Sequence, residues 1–241
     1  DEVDDLYERY CRECEKQRKI KNVTRKGLRD WYNGYYTKSG ERVYNPRSVV
    51  FALHFNNLAN YWTSSGPYDE IYYYIRNNVS DVRDDLALMA AGESVSAKIQ
   101  EYAATSMNLS TRDEIYSAMV VYGFLSYLNG KVSIPNRELM EKFDELLMKN
   151  ESLGYVYRLA KESEKMLKAT LAGDTHTMEK ILELVHDTEV PLLSYNHETE
   201  LSAIVNLVYL AARDSYRVER EDKAGVGYVD FIFYPCDLTA D

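Results

Sequence analysis

The chain has 241 residues, 45% of them hydrophobic, enough to bury a core in one large domain or two small ones and too apolar for a disordered segment. A formal net charge of −10 argues against a free-standing nucleic-acid binder. No apolar run approaches the roughly 18 residues of a membrane span and no signal-peptide pattern opens the chain, so no membrane partner is expected.

Three cysteines, an odd number, suit a reduced cytoplasmic protein better than a disulfide scaffold. The first residue is not Met, so the chain reads as a piece of something longer. Charge is unevenly spread. Between Arg9 and Arg29 there are nine Lys or Arg against two Glu, whereas from Asp187 onward eleven acidic residues face four basic ones. The acidic tail would repel a phosphate backbone unless metal ions or further residues offset it.

In chain order, the spacing of Val3, Leu6, Tyr7, Tyr10, Cys11 and Cys14 predicts a helix from Asp4 to Lys19. Cys11 and Cys14 form a C-x-x-C, which by itself is half a zinc site; two small apolar residues on one helix face are the plainer account. The basic run from Lys16 to Arg29 reads as a solvated helix-loop-helix surface before a phosphate dock. Asn22 to Thr24 form a turn and cap, and a short helix leads to Trp31. Asn33-Gly34 is turn chemistry, and Ser39-Gly40 closes a short hairpin. Asn45-Pro46 suits a cap followed by Pro at the first helical position, opening a helix to Asn57. Eleven of the 22 Tyr lie in the first 74 residues. Packing explains them better than base stacking.

Helices continue through Tyr68–Asn77 and Asp81–Ala91, while Ala97–Ala104 is ambiguous. Thr111-x-x-Glu114 is a capping box ahead of Ile115 and Met119. Phe124–Leu128 and Lys131–Ile134 make a hairpin across Asn129-Gly130, and Asn136 caps a helix to Lys149. Helix, hairpin, helix outlines a winged-helix unit. Its recognition face would hold Arg137, Glu138, Glu141, Lys142, Asp144 and Glu145, nearly balanced or acidic, so packing is favoured over DNA reading. Another helix runs from Glu151 to Leu171 and ends at Gly173; Asp174 caps the next, to Val185. His176 and His186 are expected on the surface. His197 lies close to Glu198 and Glu200, where it could tune a carboxylate, although a solvent-facing helix start is the simpler account.

The last stretch, Tyr195 to Pro235, reads as helix, strand, strand. Leu201, Ile204, Val205, Val208 and Ala212 form an apolar stripe, with Glu200 at the helix start. Extended runs Tyr216–Glu221 and Tyr228–Tyr234 flank a turn containing Gly225 and Gly227. Alternation sends Val229, Phe231 and Phe233 one way and Tyr228, Asp230, Ile232 and Tyr234 the other. A carboxylate among apolar neighbours is costly without a compensating partner.

A helix bearing Glu200, followed by a hairpin bearing Asp230, resembles the opening of the PD-(D/E)XK nuclease fold. Trp31-Tyr32-Asn33-Gly34-Tyr35, Val43-Tyr44-Asn45-Pro46-Arg47-Ser48-Val49 and Tyr61-Trp62-Thr63-Ser64-Ser65-Gly66 resemble the end of the AAA-ATPase-like domain found in bacterial proteins with such a tail. Arg47 departs from the aromatic common there. Pro135-Asn136-Arg137-Glu138 resembles the family's I-P-N-R-E link. The resemblance spans roughly 1–66 and 111–235.

It implies Glu200 as the helix carboxylate and Asp230 as a ligand of Mg²⁺ in an intact site, with ATP bound by a core preceding this chain. It also implies a Glu-x-Lys on the following strand. No Glu or Lys follows Asp230, and no G-x-x-x-x-G-K-[ST] loop occurs; Gly130-Lys131 belongs to the hairpin turn. The chain is therefore expected to be inactive as a nuclease and as an ATPase, and to hold no cofactor of its own. The expected fold is mainly α with small β elements: a helical bundle with a winged-helix-like unit, then a truncated α/β nuclease-like segment. Its divisions are 1–80, the end of the AAA-ATPase-like domain; 81–186, a helical region with the winged-helix-like hairpin at 124–134; and 187–241, the truncated nuclease-like segment. The implied partners are the missing N-terminal ATPase core and, for the intact protein, DNA. A non-catalytic helical interaction module is the alternative, and a weak DNA-binding winged unit the third.

Overall fold

The computed structural model describes residues 2–62, 75, 79–99, 109, 111–186, 198–224 and 227–236, without the side chains at 79–81, 185–186 and 219–230. Expectations for Tyr68–Asn77 other than Ile75, for His197, and for Thr63–Gly66 of the third motif, lie outside the described residues. What is described is mainly helical with small antiparallel sheets, and its contacts divide it into two units, Asp1–Leu146 and Leu147–Asp241. Among the described residues no helix is long and apolar enough to cross a membrane.

The first unit begins with α1 (Glu2–Gln17) and α2 (Arg25–Tyr32). Thr24 caps α2 by accepting a hydrogen bond from the Gly27 N–H, which satisfies one of the free donors of the first turn. Strands β1 (Asn33–Tyr36) and β2 (Arg42–Tyr44) form a hairpin and lead into α3 (Pro46–Phe55). Asn45 caps α3, with Pro46 at its first position, where a missing N–H removes no hydrogen bond. Tyr10, Cys14, Val23, Leu28, Tyr32, Val49 and Ala52 are the core of this part. Asn56, in the left-handed conformation after α3, accepts from the Tyr10 hydroxyl and the Asn22 N–H and donates to the Ile20 carbonyl.

Further along lie α4 (Val79–Ala90), β3 (Val95–Ser96), α5 (Arg112–Val121), β4 (Ser126–Leu128), β5 (Lys131–Ser133) and α6 (Arg137–Lys149). Thr111 and Glu114 make both hydrogen bonds of the capping box on α5. Strands β4 and β5 pair across Asn129 and Gly130, whose φ values of +50° and +79° are those of a two-residue hairpin turn. The helix, hairpin and helix stand in the expected order, and β3 adds a third strand against β5.

One turn differs from expectation. Asn33-Gly34 opens β1, where the pairing with β2 is irregular, instead of reversing the chain. Gly34 has φ +126°, and a Cβ there would lie 1.8 Å from the Pro135 carbonyl oxygen. The glycine serves a close backbone approach to a segment about a hundred residues away.

The second unit holds a short 3-10 turn (Glu151–Leu153), α7 (Tyr155–Ala172), α8 (Thr175–His186), α9 (Glu198–Val208), a second 3-10 turn (Leu210–Asp214) and strands β6 (Tyr216–Ala224) and β7 (Gly227–Pro235). Helix α7 packs against α8, α9 and the second 3-10 turn, and Val156, Leu159, Met166, Ile204, Leu207 and Leu210 are buried in this unit. Gly173, at φ +68°, ends α7, and the carboxylate of Asp174 caps α8 at the Thr177 N–H. The hairpin of β6 and β7 is regular over most of its length, with Val218 opposite Phe233 and Arg220 opposite Phe231.

Candidate functional site

The most developed polar arrangement among the described residues centres on Glu138, in the first turn of α6. Helical spacing puts Glu138 on an outward recognition face, but its relative exposure is 0%. The Ser48 hydroxyl of α3 lies 2.8 and 2.9 Å from its two carboxylate oxygens. The backbone N–H groups of Tyr61 and Trp62 both donate to Oε1, at 2.7 and 2.9 Å. Asn60 adds a side-chain donation to the Glu138 carbonyl at 2.7 Å.

Burial pushes the Glu138 carboxyl above its ordinary value, against the opposing effect of the Tyr61, Ser48 and Trp62 hydrogen bonds. The positive end of the α6 dipole also favours the anion. Tyr32 and Tyr35 are raised chiefly by burial, with the charge of Glu138 adding to it. Tyr35 donates its hydroxyl to the Gly123 carbonyl at 2.9 Å, and Trp62 meets Phe124 edge-on at 4.8 Å.

All four sequence strings thus meet in one place. Gly34 touches Pro135, Ser48 and Tyr61-Trp62 reach Glu138, and Arg137 lies 4.8 Å from the Trp31 ring centre. Chemically, a carboxylate already accepting from a hydroxyl and two amides, with no solvent access, holds a loop and a helix together. It offers no open face to a substrate. Arg137, the basic end of the supposed recognition face, is engaged with Trp31 and lies 3.6 Å from Glu141.

The residues expected to carry nuclease chemistry lie in the second unit. Glu200 stands in the first turn of α9, and its Oε2 is buried without a hydrogen-bond partner among the described residues. Asp230 lies on β7 between Val229 and Phe231, which face Asp222 and Arg220 on β6; its side chain is outside the described residues. The apolar stripe of α9 starts later than expected: Leu201 is 59% exposed, whereas Ile204 and Val208 are buried. The expected alternation along β7 is muted, since Phe231, Ile232 and Phe233 are all half-buried. A two-stranded ribbon has no fully covered face to separate inside from outside. Phe233 packs on Tyr209 and Tyr216.

Among the described residues no three His, Cys, Asp or Glu side chains come together as metal ligands. One orphaned oxygen on Glu200 is not a Mg²⁺ site, because an octahedral ion needs a converging set of oxygens. Cys11 is half-buried and Cys14 buried on α1, both as free thiols, and Cys14 belongs to the apolar core. His176 is exposed beside Glu179. Comparison with family models, curated proteins and solved structures finds no match to this chain.

Periodicity misses the Glu138 arrangement because it assigns an outer face to polar residues of an amphipathic helix. A signal is present in the sequence nonetheless: the strings containing Ser48, Tyr61-Trp62 and Glu138 are all distinctive, each apart from the others.

Proposed function

We propose that this chain is the non-catalytic portion of an AAA-ATPase-like protein with a PD-(D/E)XK-like tail, inactive by itself as nuclease and ATPase. The observation that carries the reading is the meeting of the four strings at Glu138 and Gly34. Four strings far apart in the sequence are joined through Glu138 and Gly34, as the parts of one subdomain would be. The tail contributes the helix-hairpin order that a PD-(D/E)XK segment needs, with Glu200 and Asp230 on the appropriate elements. Residues 231–241 contain no Glu or Lys, so no step of phosphodiester cleavage is assigned to these residues.

Mg²⁺-dependent cleavage of supercoiled plasmid is the direct assay. The expected outcome is no turnover; turnover abolished by Asp230→Ala would overturn the assignment of inactivity. The reading frame that encodes the chain supplies the second test. A G-x-x-x-x-G-K-[ST] loop before Asp1 and a Glu-x-Lys shortly after Asp241 support the reading, and absence of both overturns it.

In that event the chain is a helical protein-interaction module. One observation favours this second reading. Helix α3 leaves Phe55, stacked on Tyr61 at 5.9 Å, 60% exposed, and Val50 49% exposed.

A further inference from the structure

A polar cleft of about 280 Å³ lies in the first unit between α2, the β1–β2 hairpin and the end of β5. Two arginines line it, Arg29 from α2 and Arg42 from β2. Arg42 is held by Tyr36: its Nε donates to the Tyr36 hydroxyl at 3.0 Å, and its guanidinium lies 5.5 Å from the ring centre. That contact occupies the stem of the fork and leaves the two terminal nitrogens for another acceptor. Arg29 has neither an ion pair nor a side-chain hydrogen bond among the described residues. The close approach of Gly34 to Pro135 fixes the floor, and Ser133 adds a hydroxyl. Asp30, next to Arg29 on the wall, is likewise unpaired among the described residues.

We propose that this cleft binds a phosphate monoester carried by a small, hydroxyl-bearing molecule. Arg29 and Arg42 hold the phosphate, and Asp30 accepts a hydrogen bond from a neighbouring hydroxyl. Two planar forks can be satisfied at once by the three terminal oxygens of a phosphate, whereas a carboxylate has only two oxygens and is filled by one Arg. Two arginine charges against one carboxylate leave the cleft net positive, and that net attraction is larger for a doubly charged phosphate than for a singly charged group. The volume is at the small end for ligand pockets, which favours a sugar-sized partner. The cleft is in the first unit and Glu200 and Asp230 in the second, so the proposal stands or falls apart from the nuclease-tail reading.

Titration calorimetry of the whole chain with inorganic phosphate, ribose 5-phosphate and ribose tests it. Both phosphorylated probes are expected to bind, ribose 5-phosphate more tightly, and ribose not at all. Arg29→Gln and Arg42→Gln should each weaken ribose 5-phosphate by about tenfold or more, the loss of a charge-assisted hydrogen bond. Lys38→Gln, on the turn of the same hairpin but outside the cleft, should leave binding unchanged. Asp30→Asn should strengthen inorganic phosphate while removing the advantage of ribose 5-phosphate over it. All four positions are exposed, and unchanged circular dichroism will confirm that the variants fold. Absence of heat with millimolar phosphate, equal losses in Lys38→Gln and Arg29→Gln, or binding of unphosphorylated ribose would each overturn the proposal. A tenfold preference for a 5′-phosphorylated oligonucleotide would overturn the small-molecule assignment.

Discussion

Glu138 shows how a single buried carboxyl group can tie distant segments together. Its carboxylate receives the Ser48 hydroxyl and two backbone N–H groups, with no Lys or Arg among those contacts. Removing it by Glu138→Ala strands three buried donors, each costing about 1–3 kcal/mol, so a loss of about 3 kcal/mol or more is expected. Glu138→Gln is gentler, because its carbonyl oxygen can face the Tyr61 and Trp62 amides while its NH₂ donates to Ser48. The two variants separate packing from charge. Burial raises the folded carboxyl above its ordinary value of 4.5, so the folded state favours the protonated form. The stability this group contributes is fully present below 4.5 and is lost as pH rises through the raised value. Urea midpoints measured from pH 4 to 8 should therefore fall more steeply for the native protein than for Glu138→Gln over that window. Parallel profiles would show that the carboxyl titrates normally.

At the scale of elements, two glycines with the same backbone sign carry different burdens. Gly130 sits in the β4–β5 turn at φ +79° with nothing within 4 Å of where a Cβ would stand, so Gly130→Ala meets only conformational strain. A cost of about 1 kcal/mol is expected. Gly34→Ala adds a collision with the Pro135 carbonyl to its strain, and about 3 kcal/mol or more should be lost. Thermal melting of the two variants checks the ordering, and similar midpoints would mean that β1 and Pro135 can separate cheaply. The same contrast explains what is legible in the sequence. Thr111-x-x-Glu114, Asn45-Pro46, Asn129-Gly130, Gly173 and Asp174 are legible because a cap or a turn is satisfied within a few residues. Asn33-Gly34 misleads because its cause lies about a hundred residues away. Glu138 escapes for the same reason: Ser48, Tyr61 and Trp62 are between 76 and 90 residues distant. Spacing alone puts Leu201 in the stripe, yet the buried part of α9 begins at Ser202.

For the molecule as a whole, the division of labour follows the charge. The basic excess lies in the first unit, and the second unit ends in the acidic segment that carries Glu200 and Asp230. Whether those carboxylates hold a divalent ion tests the proposed nuclease-like reading of this segment, and mass action sets the scale. A site with a Kd of about 0.1 mM would be stabilised by about 2.7 kcal/mol in about 10 mM Mg²⁺, and would raise the melting midpoint by about 5–10 °C in a chain of this size. Two carboxylates without the third oxygen and the Lys of Glu-x-Lys leave Mg²⁺ most of its waters, so a Kd of about 10 mM or weaker is expected. That corresponds to about 0.4 kcal/mol and a shift of about 1 °C. The expected result is therefore a small shift of the native protein in Mg²⁺, the same in Asp230→Asn. A shift of several degrees that disappears in Asp230→Asn would show a formed metal centre and return the tail to the enzymes. The measurement reads binding alone, so it separates a tail that cannot hold the ion from one that holds it without turning over.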